Sequence, residues 1–184
     1  MARAKSTKTI EAISFNVGPH TENFNAVQSD ASGGKRKFDF APTIGAGLLI
    51  PWRPWDLGLL FLPELNWVLP QFSGESRIVK NIFMLRSDLG YDVLPWLRLR
   101  AGTSLMWLNQ HGRGGSTELE NGNTTSTFYY PEENRSSLNN TVDLGAEALY
   151  EDFSFRFQTY TYSLFKEGRR SLSYTLFVTY YWGQ

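Results

Sequence analysis

Cysteine is absent from the 184 residues, which excludes a disulfide scaffold, a thiolate zinc site and a thiol nucleophile. That absence suits a chain handled in an oxidising periplasm without fixing the compartment. Lysine is scarce: Lys5, Lys8, Lys35, Lys37, Lys80 and Lys166 are all there are, so the charged skin of a soluble barrel is missing. Eighteen basic residues balance eighteen acidic ones, which leaves no electrostatic case for a nucleic-acid partner. No apolar stretch reaches the roughly 18–20 residues of a transmembrane helix; Pro63 and Glu64 interrupt the best candidate, Leu57–Leu69. This says nothing against a membrane β-barrel, whose signal per strand is weak. Met1–Ser6 is short and basic without an apolar core, so no signal peptide is visible. We read the chain as one mature domain, 1–184, with residues 1–7 a flexible start.

What is present is alternation. Leu57, Leu59, Phe61, Leu65, Trp67 and Leu69 share one parity, opposed by Gly58, Glu64 and Asn66. Leu172, Tyr174, Leu176, Val178, Tyr180 and Trp182 repeat the pattern against Ser171, Ser173, Thr175 and Thr179. A period of two belongs to strands whose faces meet two environments. Eight such stretches are predicted: Thr9–Val17, Lys37–Ile50, Asp56–Leu69, Ile78–Val93, Leu97–Leu108, Leu138–Tyr150, Phe153–Leu164 and Ser171–Trp182. Their connections alternate long and short, the rhythm of an up-and-down antiparallel barrel with unequal rims. The longest are Gly18–Arg36 and Asn109–Ser137; within the second, Thr124–Tyr130 is rich in Thr and aromatics and suits a protruding hairpin.

Alternation does not say which face is inside, since a soluble carrier barrel has its apolar stripe inward and a membrane barrel outward. Three features favour outward. The mid-strand polar stripe is rich in small residues such as Gly45, Gly47, Gly90, Gly102 and Gly145, which suit a crowded lumen. All six tryptophans fall at strand ends or in turns: Trp52, Trp55, Trp96 and Trp182 toward one rim, Trp67 and Trp107 toward the other. Two aromatic girdles are what interfacial partitioning produces. Finally, Glu64, Arg86, Asp88, Arg98, Arg100, Asp143, Glu147 and Arg156 lie in the polar stripe with mixed signs. Tight turns place Glu147 opposite Arg156, and Asp88 opposite or diagonal to Arg100. Inside a closed barrel such charges must pair; outside, they are cross-strand surface pairs of roughly 0.2–1 kcal/mol each.

With eight strands, short turns on one side and long loops on the other, the chain resembles the small Gram-negative outer-membrane barrels of the OmpA/OmpX class. The final strand, Leu172-x-Tyr174-x-Leu176-x-Val178-x-Tyr180-x-Trp182, is similar to the closing strand of such barrels, with Trp182 where Phe is usual and Gly183-Gln184 beyond it. The resemblance implies an all-β, eight-stranded transmembrane barrel, integral to the outer membrane and monomeric. A lumen filled by side chains implies a non-enzymatic, cofactor-free role in envelope structure, or in surface recognition and adhesion through 18–36 and 109–137. Outer-membrane lipid and lipopolysaccharide are the implied partners. Lys35, Arg36, Lys37, Arg77, Lys80, Arg169 and Arg170, with Lys166, gather near the long-loop rim, where cations attract phosphorylated head groups.

Two alternatives stay open: a barrel enzyme acting on lipid A, and a soluble lipocalin-like carrier of a hydrophobic ligand. The two histidines, His20 and His111, fall in predicted loops. The lipid A deacylases of this architecture use a His-x-Ser pair; His20-Thr21-Glu22 and His111-Gly112-Arg113 do not reproduce it. A barrel acyltransferase would need an apolar lumen, whereas the predicted one is charged. Glu118, Glu120, Glu132 and Glu133 lack the spacing of a calcium loop and read as solvated charge.

Overall fold

The computed structural model describes residues 10–22, 40–52, 57–70, 78–112, 116–121, 124–129, 134–162 and 171–183. They form β1 (Ala12–Glu22), β2 (Phe40–Trp52), β3 (Leu59–Val68), β4 (Ile78–Leu94) and β5 (Leu97–Gly112). There follow β6 (Ser116–Asn121), β7 (Thr124–Tyr129), β8 (Asn134–Tyr150), β9 (Phe153–Tyr162) and β10 (Ser171–Trp182). Eight strands close into an antiparallel barrel in the order β1-β10-β9-β8-β5-β4-β3-β2, while β6 and β7 form a separate two-stranded sheet. Closure is made by β1 against β10, with Ile13 opposite Trp182 and Val17 opposite Val178. Closing the sheet removes the open edges that would otherwise expose unpaired backbone groups.

Several expected boundaries move. The first strand continues through Glu22, so Gly18–Glu22, expected to begin a loop, belong to the wall. The second strand is described from Phe40 and the third begins at Leu59, after Leu57 and Gly58; the expected starts at Lys37 and Asp56 lie outside the described residues. The expected loop 109–137 is largely ladder: β5 and β8 pair as far as His111 opposite Asn134. The hairpin β6–β7 stands beyond them, with Ser116 opposite Tyr129. The hairpin agrees with the expectation for Thr124–Tyr130; the polar extensions of β1, β5 and β8 were not legible, because a strand that rises out of an apolar layer has no apolar face to show. The flexible start expected for residues 1–7 lies outside the described residues.

At the opposite end the turns are minimal. Pro95–Trp96 joins β4 to β5, and Glu151–Asp152 joins β8 to β9. Glu151 takes φ 50°, the left-handed value that glycine favours at the first central position of such a turn. One irregularity marks the closing seam. The β1–β10 ladder lapses between Val17↔Val178 and His20↔Thr175, where Gly18 and Pro19 stand. Proline has no N–H to give, and a Cβ at Gly18 would lie 1.7 Å from the Leu176 carbonyl oxygen.

The two faces of the wall are opposite in character. Phe15, Val17, Leu65, Leu85, Leu105, Leu144, Phe155 and Leu176 point outward and are exposed; the alternate residues fill the lumen. An exposed belt of Leu, Phe and Val is a surface for hydrocarbon, so the inward-apolar carrier geometry does not hold. The lumen is itself layered. Ala12, Leu49, Leu60, Leu62 and Tyr181 cluster near the short-turn end. Val68, Ile82, Met84, Met106 and Tyr160 cluster toward the long-loop end, with Ala41, Leu108 and Tyr162 against them.

Candidate functional site: a charged lumen between aromatic rims

Between the two apolar layers lie Glu64, Arg86, Asp88, Arg98, Arg100, Asp143, Glu147 and Arg156, all 3% exposed or less. Four carboxylates face four guanidiniums, so the layer is neutral as a set. Glu64 on β3 is the hub. Its carboxylate accepts from Arg86 Nη1 at 2.9 Å, from Arg100 Nη2 at 2.5 Å, and from both Arg156 Nη1 at 2.5 Å and Nη2 at 2.9 Å. The Arg156 fork is bidentate, the strongest geometry for this pair. In the barrel order β3 and β9 are four strands apart in either direction, so this fork crosses the full width of the lumen.

The remaining partners fill in around the hub. Arg86 also donates to Asp88 and lies 3.6 Å from Asp143. Arg100 Nε donates to Asp88 at 3.2 Å and Nη1 to Glu147 at 3.4 Å. Glu147 accepts from Ser154 Oγ at 2.5 Å and from the Tyr181 hydroxyl. Asp143 accepts from Thr141 Oγ1 at 2.5 Å. Arg98 sits toward the short-turn mouth and donates from Nε to the half-exposed Asp92 at 2.6 Å. Glu147 does stand opposite Arg156 in register, yet its nearest cations are Arg100 and Arg98. Asp88 lies diagonal to Arg100, which pairs in register with Gly90.

Aromatic rings inside the lumen were missed by the sequence reading. Arg156 lies 4.4 Å from the Phe177 ring centroid, Arg86 5.4 Å from Tyr160 and Arg98 5.8 Å from Tyr181. Each guanidinium thus has carboxylates at its edge and a π face beneath it, which offsets part of its desolvation. Leu60, Leu62 and Val68 share parity with Glu64 and Asn66, so the apolar layers had a signal. The outer stripe of the same strand, being longer and more apolar, masked it.

The tryptophans divide as expected where they are described. Trp52, Trp96 and Trp182 are exposed at the short-turn rim, with Tyr150 and Phe153; Trp55 lies outside the described residues. Trp67 stacks on Phe83 at 5.6 Å and Phe83 meets Trp107 at 6.5 Å, forming a row at the other rim. Their indole N–H groups donate to Asn81 Oδ1 and Ser136 Oγ, both at 2.6 Å. From Trp96 to Trp107 the chain advances eleven residues, about 36 Å along a strand. At a tilt of about 35–45° that is roughly 26–30 Å along the barrel axis, close to the ~25 Å apolar band of such barrels.

Of the basic residues expected at the long-loop rim, Lys35, Arg36, Lys37, Arg77, Lys166, Arg169 and Arg170 lie outside the described residues; Lys80 is in β4, opposite Gln110. Both histidines are strand residues rather than loop residues. His20 is 1% exposed inside the lumen, its Nδ1 2.8 Å from Thr175 Oγ1 and its ring 6.0 Å from Tyr160. His111 is in β5, exposed, with Nδ1 against Asn134 Oδ1. Continuation of β1 through Glu22 accounts for the first; continuation of β5 through Gly112 for the second.

No family model matches the chain, and no curated protein matches it. Solved structures do. Ail, the attachment invasion locus protein of Yersinia pestis, aligns with a TM-score of 0.51 over 92% of this chain and 95% of its own, at 8% identity. Neisserial surface protein A aligns at 0.46 over 92% and 94%, with 12% identity. The N-terminal β-barrel domain of Pseudomonas aeruginosa OprF aligns at 0.46 over 95% and 99%, with 9% identity. The likeness is one of fold: this chain, like Ail, is built as a small closed barrel of eight antiparallel strands.

Proposed function

We propose that the protein is a non-enzymatic, integral outer-membrane barrel whose wall serves the envelope and whose long-loop side carries surface recognition or adhesion. The observation that carries the reading is the filled lumen. A neutral ion-pair layer sealed by two apolar layers leaves room for neither a wide pore nor an acyl substrate, as expected when eight strands enclose side chains. His20 is committed to that packing, well away from any lipid-exposed catalytic position. With the interior occupied, specificity belongs to the connections, which a rigid scaffold displays. In this reading the short turns face the periplasm. The hairpin β6–β7 and the cations Lys35, Arg36, Lys37, Arg77, Lys80, Arg169 and Arg170 face outward over lipopolysaccharide phosphates.

The barrel should be extracted from outer membranes only with detergent and should migrate differently on gels before and after boiling. Replacing residues 113–133 with a short Gly-Ser linker, which spares every β5–β8 ladder pair, should preserve that heat-shifted mobility and abolish binding to host cells or matrix. Loss of the mobility shift in that variant would refute the division between scaffold and recognition element. Changed lipid A mass profiles in His20→Ala or His111→Ala would replace the reading with an enzymatic one.

A further inference from the structure

The lipid-facing wall is not uniform. On β8 the outward residues Ala146 and Ala148 are the smallest in their rows, and beside them stand Phe155 and Phe157 on β9, then Leu176 and Val178 on β10. Together with Leu97 at one end and Gly18–Pro19 at the other they enclose a depression of about 440 Å³. The far end coincides with the lapse in the β1–β10 ladder, where the first and last strands meet. Phe153 against Tyr180 at 5.1 Å and Phe157 against Tyr174 at 5.8 Å bracket the depression along the strands.

Its course is set by the register. Leu97, Ala148, Phe155, Val178 and Val17 form one continuous row across β5, β8, β9, β10 and β1. Four strand spacings make it about 19 Å long. Because the strands tilt by about 40°, the row climbs roughly 12 Å as it crosses the wall, close to one leaflet of a ~30 Å hydrocarbon core. It begins at the short-turn rim. There the turn between the two strands that wall it carries Glu151 and Asp152, both exposed, with Trp96 and Tyr150 beside them. Glu11, Asp92 and Glu151 line the mouth of the lumen on that rim, making its edge acidic, with Arg98 bound to Asp92.

We infer that this depression seats one acyl chain of a glycerophospholipid from the short-turn leaflet, with an ammonium-bearing head group held at Glu151–Asp152. This rests on the membrane reading above and makes it specific. The acidic rim selects an ethanolamine over an anionic glycerol head group, and the alanines provide the space for the chain.

The test uses the whole barrel in nanodiscs of equal phosphatidylethanolamine and phosphatidylglycerol, transferred to native mass spectrometry. The wild-type protein should retain one phospholipid, phosphatidylethanolamine in preference. Ala148→Phe fills the depression and should lower retention about tenfold, the effect of unburying two methylene groups. Ala146→Leu, a milder filling, should lower it in the same direction, and heat-shifted mobility reports that each variant is folded. Glu151→Gln with Asp152→Asn should erase the head-group preference while leaving one lipid bound. Equal retention in the filled variants, preference for phosphatidylglycerol, or a dimer that Ala148→Phe dissociates would each overturn the inference. Failure of the wild-type barrel to enter nanodiscs would instead overturn the membrane reading beneath it.

Discussion

The inner and outer faces of this barrel are drawn from alternate residues of the same strands and are layered in opposite order. Outside, an apolar band is bounded at each rim by amphipathic aromatics, two of whose N–H groups find Asn81 and Ser136. Inside, a charged band is bounded by apolar clusters. The charges therefore sit where the surrounding solvent is driest, sealed from water above and below. Outside, polar groups retreat to the rims because nothing at mid-depth can satisfy them. Inside, they remain at mid-depth because each carboxylate finds its cation within a few ångströms. The lesson is that polarity inside a small barrel follows from partners, not from access to water.

The sharpest break in that comparison comes from the hub. Glu64→Ala leaves three buried guanidiniums without their shared anion and should lower stability by about 3–5 kcal/mol, read as a lower urea midpoint in detergent. Glu64→Leu combined with Arg156→Met should recover part of that loss. A double-mutant cycle with no coupling would show that the cross-lumen fork contributes nothing. On the outer face the effect should depend on depth. Leu144, midway along β8 between Leu138 and Tyr150, should lose about 2–4 kcal/mol as Leu144→Arg, whereas Leu138→Arg at the rim should lose roughly 0–1 kcal/mol. Equal losses at both positions would mean the band does not face hydrocarbon. The smallest effect belongs to neither face: Glu151→Gly removes left-handed strain at a two-residue turn and should raise stability by about 1 kcal/mol or less.

Much of this layout was legible because a strand's period of two assigns every residue to one of two faces. Glu64, Arg86, Asp143 and Arg156 could all be placed in one lumen, and Trp67 and Trp107 on one rim, from parity and loop length. Parity says nothing about azimuth, however. Register sets Arg156 opposite Glu147 on the adjacent strand, while its hydrogen-bonded carboxylate is Glu64 on the opposite wall. Hairpin register does find some ion pairs, Glu64 with Arg86 and Asp92 with Arg98, but long arginine side chains also reach across a narrow lumen to partners that register does not show. His20 falls in the expected loop Gly18–Arg36, whereas in the structure Gly18 and Pro19 mark only a lapse in a strand that continues through Glu22.

The fork from Arg156 to Glu64 has a consequence for how the barrel is made. It joins staves on opposite walls, separated by 92 positions in the chain, so no flat sheet can bring the two together. Glu64 faces Arg86 on the neighbouring strand, so that pair needs only a hairpin, whereas Arg156 meets the shared anion only once the sheet has curled. The same contact that stiffens the finished cylinder therefore favours a curled wall over a flat one, because only curvature brings Arg156 to its anion.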